Sequence, residues 1–160
     1  MRRFLSAVLA LSTALHWVAG ASLLFLMLIT VTDVVLRAIG TPIPGTYELV
    51  GFAGGLAIGL ALPMTSWRRG HVEVDSFVIR LSPRVRAAVQ ITTRLAGVAI
   101  FSILAWNLFR LGLDLRASGE VSPTLELRFY PVLFGLAFAA LLQTGVLCAQ
   151  VALIRRGEYE

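Results

Sequence analysis

The sequence predicts an all-α integral membrane protein with about four transmembrane helices and a short amphipathic helix on the cytoplasmic side, between the second and the third. Apolar residues make up 58% of the 160 residues, charged residues only 14%, and the mean hydropathy is +0.83. A soluble core of this size could not hide so much apolar surface, and large exposed apolar patches cause aggregation. The apolar residues also gather in runs of about 20, the length of helix that crosses a bilayer.

Four such runs occur, and none shows the strand-like alternation of a membrane β-barrel. Each run is apolar around its whole circumference, as a helix surrounded by lipid requires. The predicted spans cover residues 15–36, 47–66, 87–113 and 130–154. Residues 1–160 are therefore treated as a single membrane domain.

The arginines indicate how the spans are oriented. The net charge is +5, and all 14 basic residues are arginines. They lie at or near the ends of the apolar runs, which argues against binding of nucleic acid. If the N-terminus is cytoplasmic, ten arginines lie on the cytoplasmic side and four on the other, as the positive-inside rule expects. The ten are Arg2, Arg3, Arg68, Arg69, Arg80, Arg84, Arg86, Arg94, Arg155 and Arg156; the four are Arg37, Arg110, Arg116 and Arg128. We therefore expect both termini in the cytoplasm, in agreement with an even number of spans.

The N-terminal segment allows two interpretations. Residues 1–22, MRRFLSAVLALSTALHWVAGAS, have the basic start, apolar centre and small residues of a cleavable signal peptide. The apolar run continues to Leu36, however, and its removal would leave an odd number of spans. We therefore expect an uncleaved first span, preceded by residues 4–13 lying along the cytoplasmic membrane surface.

Two charged residues stand at the end of the first span. Asp33 and Arg37 are four positions apart, so they face each other on a helix. They form either a local ion pair that closes the helix or a polar contact to another subunit, because an ionisable residue this close to lipid needs a partner. The following GTPIPG breaks the helix with proline and glycine. Glu48, at the start of the second span, could pair with Arg37 across this short loop.

Small residues line one face of the second span. Gly51, Gly55 and Gly59 recur every four residues, a spacing that lets two helix backbones approach closely. The partner helix could belong to this chain or to another. Pro63, near the other end of the span, is expected to kink the helix or to loosen its last turns.

A polar segment, WRRGHVEVD, follows the second span at residues 67–75. His71, Glu73 and Asp75 alternate with valines and would share one face of an extended segment, and side chains of these types can hold a divalent metal. A metal site needs three or four ligands with supporting hydrogen bonds, and the only other histidine is His16. The motif is therefore weak evidence for a metal.

Residues 75–83 predict the short amphipathic helix. Phe77, Val78 and Leu81 lie at helical spacing, and neighbouring arginines can reach toward lipid phosphates. We therefore expect this helix to lie on the membrane surface, with lipid as its partner.

The connection between the third and the fourth spans is the longest on the side opposite the termini. It reads GLDLRASGEVSPTLELRF, and its glycines, serines and proline predict ordered turns rather than helix. In the fourth span, Gln143 and Thr144 can hydrogen-bond to neighbouring helices.

The sequence lacks the marks of an enzyme or of a self-sufficient transporter. It contains no nucleophile beside a base, no glycine-rich phosphate loop and no pair of cysteines. We predict no catalytic residue, no cofactor and no bound metal. The centres of the later spans carry almost no ionisable residues, which an independent ion pathway would need, and inverted repeats are not evident.

The order of these motifs resembles the small membrane subunit of tripartite ATP-independent periplasmic (TRAP) transporters, the DctQ-type family. The resemblance covers nearly the whole chain, from the first span to the fourth. It rests on Arg37 and Glu48 around the first loop, on GHVEVD at residues 70–75 and on SPTLEL at residues 122–127. The chain departs from the family pattern at Arg128, where relatives often have proline, so we expect the start of the fourth span to be built differently.

The resemblance implies a role within a complex. In this family the small subunit binds a much larger membrane subunit, which carries the substrate and sodium sites and moves as an elevator. A soluble periplasmic substrate-binding protein delivers the substrate, often an organic acid. The resemblance therefore implies a multi-pass protein of the bacterial inner membrane that is a non-catalytic part of the fixed scaffold.

Several residues are expected to have structural roles or to contact a partner. We expect His71 and Asp75 to hold the polar turn by hydrogen bonds and helix capping, and Arg68 and Arg69 to face phosphates or the partner. The glycine face of the second span, with the adjoining first loop, is expected to meet the large subunit. The full set is Arg37, Glu48, Gly51, Gly55, Gly59, Arg68, Arg69, His71, Asp75, Ser122 and Pro123.

Two other functions stay open. A self-sufficient small transporter or channel, built as a homo-oligomer through the glycines of the second span, would transport by itself in liposomes. A membrane metalloenzyme using His71, Glu73 and Asp75 would carry stoichiometric metal when purified. The sequence favours the subunit over both, because it has few buried charges, no evident repeat and only a weak metal motif.

Overall fold

The structure, a computed structural model, describes residues 2–68 and 83–156. These residues form four helices: α1 (Arg2–Ala38), α2 (Thr46–Trp67), α3 (Pro83–Ser118) and α4 (Tyr130–Arg156). The only strand-like feature of the described part is an isolated bridge between Val121 and Arg128. The predicted all-α class is therefore confirmed.

Each helix contains a segment that is long and apolar enough to cross a membrane. Judged by length and composition, these segments are Leu5–Ala38, Thr46–Trp67, Ala88–Ser118 and Tyr130–Ile154. Each overlaps one predicted span, so the four apolar runs of the sequence correspond to four helices of the structure.

The helices extend beyond the predicted spans. α1 continues without a break through residues 4–13, which we expected to lie along the membrane surface. In this segment Val8 is buried against Leu142 and Val146 of α4, so packing within the chain holds it in line with α1. α3 continues to Ser118, past the predicted end of its span. Hydropathy marks only the part of a helix that suits lipid, whereas backbone hydrogen bonding continues into polar sequence.

The predicted amphipathic helix at residues 75–83 lies outside the described residues, except for Pro83, where α3 begins. Proline suits this position because the first turn of a helix needs no N–H from it. Arg69, His71 and Asp75 also lie outside the described residues.

The four helices form an open layer in which α4 is central. α1 packs against α2, α2 packs against α4, and α4 has its most extensive contact with α3. α1 reaches α4 over a smaller area, and α3 packs mainly against α4. Large parts of α1 and α3 are therefore exposed on the surface of the chain.

The contacts between helices also set their directions. Near the starts of α2 and α4, the rings of Phe52 and Phe129 meet edge-on with their centroids 5.3 Å apart. Near the end of α2, Ser66 contacts Gln143, so the two helices run in the same direction. α1 and α3 run in the opposite direction. The end of the molecule with the α1–α2 and α3–α4 loops is termed the loop end, and the other the terminal end.

Glycines allow the closest contacts between helices. Gly59 of α2 lies against Leu136 of α4, so closely that a Cβ atom would overlap that side chain. A Cβ at Gly112 of α3 would lie 2.7 Å from the ring of Phe134 in α4. In lipid, such close packing holds helices together, because the surrounding acyl chains are as apolar as the side chains.

Candidate functional site: a polar latch at the loop end

Two carboxylates organise the loop end. Asp33 lies in the last turns of α1, and Glu48 lies in the first turn of α2. Each accepts hydrogen bonds from a loop, so the two residues order the connections between the helices.

Asp33 closes the α1–α2 loop. One of its carboxylate oxygens accepts a hydrogen bond from Arg37 Nε at 2.6 Å, and the other accepts one from the backbone N–H of Ile43 at 2.9 Å. Asp33 is buried, whereas the side chain of Arg37 is half exposed. The predicted pair of Asp33 and Arg37 is therefore confirmed in its local form, as an ion pair that fixes the end of α1 and the loop after it.

Arg37 also connects α1 to α2. Its guanidinium carbon lies 5.6 Å from the centroid of the Tyr47 ring, within the range of a cation–π contact. At the start of α2, the Thr46 hydroxyl donates a hydrogen bond to the carbonyl of Ile43 in the loop at 2.9 Å. The short loop is thus held by a side chain from each of the two helices it joins.

Glu48 connects the start of α2 to the α3–α4 loop. Its Oε2 atom accepts hydrogen bonds from the Ser122 hydroxyl at 2.6 Å and from the Leu125 N–H at 3.0 Å. Its Oε1 atom accepts one from the Thr124 N–H at 2.7 Å. These four residues are termed the loop latch. Hydrogen bonds to a charged acceptor are stronger than those between neutral groups, so one carboxylate orders the whole turn.

Ser122 is the buried centre of the α3–α4 loop. While its hydroxyl donates to Glu48, the same oxygen accepts a hydrogen bond from the Leu127 N–H at 3.1 Å. Its backbone N–H donates to the Leu127 carbonyl at 2.9 Å, and its carbonyl accepts from the Glu126 N–H at 3.1 Å. Pro123, which follows, is exposed and has a fixed φ. The predicted ordered turns are therefore confirmed over residues 119–129, whereas residues 114–118, which were also predicted to form turns, belong to α3.

Gly45 brings the two loops into contact. It precedes α2 with a φ of 73°, in the left-handed region that favours glycine. The side chain of Leu125 also lies so close that a Cβ atom at position 45 would overlap it. Both its backbone conformation and its neighbour therefore require glycine at this position.

The predicted contact between Glu48 and Arg37 is wrong. Arg37 pairs with Asp33, and Glu48 accepts its hydrogen bonds from the α3–α4 loop. Thr124 and Leu125 were not singled out from the sequence, because they contribute backbone N–H groups that any residue except proline carries.

The glycine stripe of α2 is divided between two environments. Gly59 packs against Leu136 within the chain. Nothing in the described residues lies within 4 Å of a Cβ atom built at Gly51 or at Gly55. The predicted close contact is therefore confirmed within the chain at Gly59, and the remainder of the stripe forms an open face.

A second polar group lies between α2 and α4 near the terminal end. Gln143 Nε2 donates a hydrogen bond to the Ser66 hydroxyl oxygen at 2.6 Å, and Gln150 Nε2 donates one to the Ser66 carbonyl at 2.6 Å. All three residues are buried. The predicted hydrogen bond from Gln143 to a neighbouring helix is confirmed, whereas Thr144 donates to the Ala140 carbonyl of its own helix.

Arg68 marks the end of α2. It is exposed, and its backbone N–H donates to the Met64 carbonyl at 2.9 Å. Residues 2–68 and 83–156 contain no group of three or more His, Cys, Asp or Glu that could hold a metal ion. His71, Glu73 and Asp75, the candidate ligands from the sequence, lie outside these ranges.

The geometry of the loop end suits a structural role. Each of the four oxygens of the two carboxylates accepts at least one hydrogen bond, and three of them accept one from a backbone N–H group. Such an arrangement holds the two loops in place.

Comparison with known protein families identifies a match over most of the chain. A model of the family described as "Tripartite ATP-independent periplasmic transporters, DctQ component" matches residues 26–156. The matched region begins within α1 and includes both polar groups and the open glycine face. Searches of curated proteins and of solved structures return no match.

Proposed function

The chain belongs to the DctQ family and is a small membrane component of a TRAP transporter; from this premise we propose that it is a non-catalytic scaffold for the large membrane subunit, which imports an organic acid with sodium ions. Its further partners are then a periplasmic substrate-binding protein, which it meets in the assembled complex, and membrane lipid. Its location is the bacterial inner membrane.

The observation that best supports the scaffold is the open face of α2. Gly51 and Gly55 have no neighbour in the described residues at their Cβ positions, and the flanking Tyr47 and Ile58 are 82% and 72% exposed. Glycine costs roughly 1 kcal/mol relative to alanine inside a helix, so two glycines whose Cβ positions meet no neighbour in the described residues need a reason outside this chain. Close approach of a helix from the large subunit supplies that reason.

A scaffold must also hold its binding surface rigid, and the hydrogen bonds of the loop latch help to fix α2 in place. The latch ties the start of α2 to the α3–α4 loop, and the Ser66 group ties the end of α2 to α4. The open face therefore lies on a helix that is anchored at both ends.

The orientation follows from the arginines of the sequence. With both termini in the cytoplasm, the loop end faces the periplasm, where the substrate-binding protein arrives. Labelling of single cysteines by a membrane-impermeant reagent tests this orientation. A cysteine at position 120, in the exposed α3–α4 loop of a chain in which Cys148 is replaced by alanine, should react in intact cells. Failure to react there, with reaction in inverted vesicles, would reverse the orientation.

The test of the scaffold is co-purification from native membranes solubilised in mild detergent. We expect a large polytopic membrane protein in about equal amount with the tagged chain. The double variant Gly51→Leu with Gly55→Leu should lose this partner. The matched control is Gly20→Leu in α1, because Gly20 is also exposed with no atom within 4 Å of its Cβ position, and it should retain the partner.

A chain that purifies alone, or only with copies of itself, would overturn the scaffold proposal. It would favour the second candidate, a homo-oligomeric small transporter or channel. The open glycine face could equally pair with a second copy of the chain. Transport by the purified chain alone in liposomes, lost in the same double variant, would establish this alternative.

A further inference from the structure

A groove of about 420 Å³ runs along the surface between α3 and α4. Its floor contains Ala105 and Ala137, which are buried, and its edges are formed by larger side chains that are partly or largely exposed. These edge residues include Trp106 and Phe109 of α3, and Phe138 and Leu141 of α4. The volume is in the range of sites that hold small molecules, roughly 300–1,000 Å³.

Apart from the indole N–H of Trp106 at one edge, the groove offers a ligand almost no polar group along its length. Ser102 is the polar residue of its lining, and the Ser102 hydroxyl donates its hydrogen to the Val98 carbonyl of the same helix at 2.7 Å. All other lining residues are apolar or aromatic. An occupant must therefore be apolar over this part of its length, because a polar group placed here would lose its hydrogen bonds.

Two arginines lie beyond the loop end of the groove. Arg116 follows Phe109 by seven residues, so it lies on the same face of α3 and about 10 Å nearer the loop end. Arg128 lies two residues before the start of α4, and its Nη1 atom lies 3.5 Å from the Tyr130 hydroxyl. The contact of Gly112 with Phe134 places Arg116 and Tyr130 at similar heights. Both arginines are exposed, and neither makes an ion pair with an acidic residue in the described part of the chain.

We propose that this groove binds one acyl chain of an anionic phospholipid, with Arg116 and Arg128 holding its phosphate. The site has two arginine side chains at one end and apolar lining along the rest, which matches a molecule with one anionic end and one apolar end. A docked protein helix would be about 10 Å wide and would not need cations at a single end.

The length of the site agrees with one leaflet of a bilayer. Arg128 and Leu141 are 13 residues apart, which corresponds to about 20 Å along a helix. Half of a bilayer that is about 40–45 Å thick, headgroups included, has a similar depth. The lipid therefore comes from the leaflet at the loop end, with its phosphate at the level of the two arginines.

The test uses the fluorescence of Trp106, which forms one edge of the groove. The full chain, with Trp17→Phe and Trp67→Phe, is delipidated in detergent and titrated with phospholipids brominated on their acyl chains, which quench a tryptophan that they touch. Phosphatidylglycerol is the anionic probe and phosphatidylcholine the zwitterionic one. We expect quenching by the anionic lipid to saturate near one lipid per chain, and Arg116→Gln or Arg128→Gln to weaken that binding roughly fivefold each.

A filled groove provides the matched comparison. Ser102→Phe should remove the saturable quenching, whereas Ile103→Phe, one position away but outside the lining and 62% exposed, should not. Native mass spectrometry of the unaltered chain should show one retained anionic phospholipid, and Ser102→Phe should lose it. Equal, non-saturating quenching by both lipids would overturn the proposal. A second outcome would also overturn it. If Ser102→Phe lost a protein partner in co-purification and Ile103→Phe retained it, the groove would be covered by a partner subunit and not by a lipid.

Discussion

The carboxylate of Glu48 accepts a hydrogen bond from the hydroxyl of Ser122 at 2.6 Å, although the two residues are 74 positions apart in the sequence. This bond joins the start of α2 to the loop between α3 and α4. α3 packs mainly against α4. The latch therefore connects the α1–α2 pair to the α3–α4 pair, in addition to the contacts that α1 and α2 make with α4. We therefore expect the latch to contribute to the stability of the four-helix arrangement.

Removal of the Glu48 carboxylate should loosen the loop end. Glu48→Ala leaves the Ser122 hydroxyl and the N–H groups of Thr124 and Leu125 without their acceptor. We expect a melting temperature several degrees lower in detergent. Glu48→Gln should lower it less, because the amide oxygen can still accept from some of these donors. Circular dichroism at increasing temperature measures both changes.

The matched control for Glu48 is Glu120→Gln. Glu120 is an exposed acidic residue of the same loop, so its change should leave the melting temperature within about one degree of the unaltered chain, as is usual for surface substitutions. A double-mutant cycle with Ser122→Ala then isolates the bond. Ser122→Ala alone should cost about 1–2 kcal/mol of the free energy of unfolding. Strictly additive effects of the two changes would contradict a direct interaction.

Asp33 should control the order of the α1–α2 loop through the Ile43 N–H. In Asp33→Ala this N–H loses its acceptor, and we expect its hydrogen exchange to become at least about tenfold faster. Asp33→Asn keeps an oxygen that can accept the same bond and should leave the exchange of Ile43 nearly unchanged. Hydrogen exchange followed by mass spectrometry or NMR distinguishes the two variants. Equal acceleration in both would show that the charge, rather than the hydrogen bond, orders the loop.

The sequence predicts the part of this fold that depends on local properties. Apolar length identifies the four spans, because crossing lipid requires about 20 apolar residues in one helix. The pair of Asp33 and Arg37 follows from a spacing of four residues, which any α-helix brings to one face. Both predictions need no knowledge of how the helices pack.

What depends on packing could not be predicted. The three donors to Glu48 become neighbours only when α4 lies beside α2, and two of them are backbone groups without a residue signature. The prediction of Arg37 as the partner of Glu48 considered charge and proximity in sequence alone. Likewise, the stripe of glycines predicts a close helix contact, but only the register of α2 against α4 decides that Gly59 meets Leu136.

This register predicts different effects for two glycines of the same stripe. Gly59→Leu forces a side chain into Leu136 and should cost about 1–3 kcal/mol of the free energy of unfolding of the purified chain. Gly51→Leu meets no atom within 4 Å of its Cβ position and should leave the stability of the chain alone unchanged or slightly higher, because leucine favours helix over glycine. Unfolding by titration with a denaturing detergent compares the two. Equal destabilisation would contradict the observed register.

The buried Ser66 group makes a prediction about two glutamines on one helix. Gln150 Nε2 donates to the Ser66 carbonyl near the end of α2, where helix carbonyls lack partners of their own, so Gln150→Leu should cost about 1–2 kcal/mol of the free energy of unfolding. Gln143→Met should cost less than about 1 kcal/mol, because together with the bond that Nε2 donates to Ser66 it removes the Gln143 Oε1 atom, which is buried without a hydrogen-bond partner in the described residues. The same detergent titration measures both variants. A larger loss for Gln143→Met than for Gln150→Leu would contradict this order and would indicate that the Gln143 oxygen is bound by a group outside residues 2–68 and 83–156.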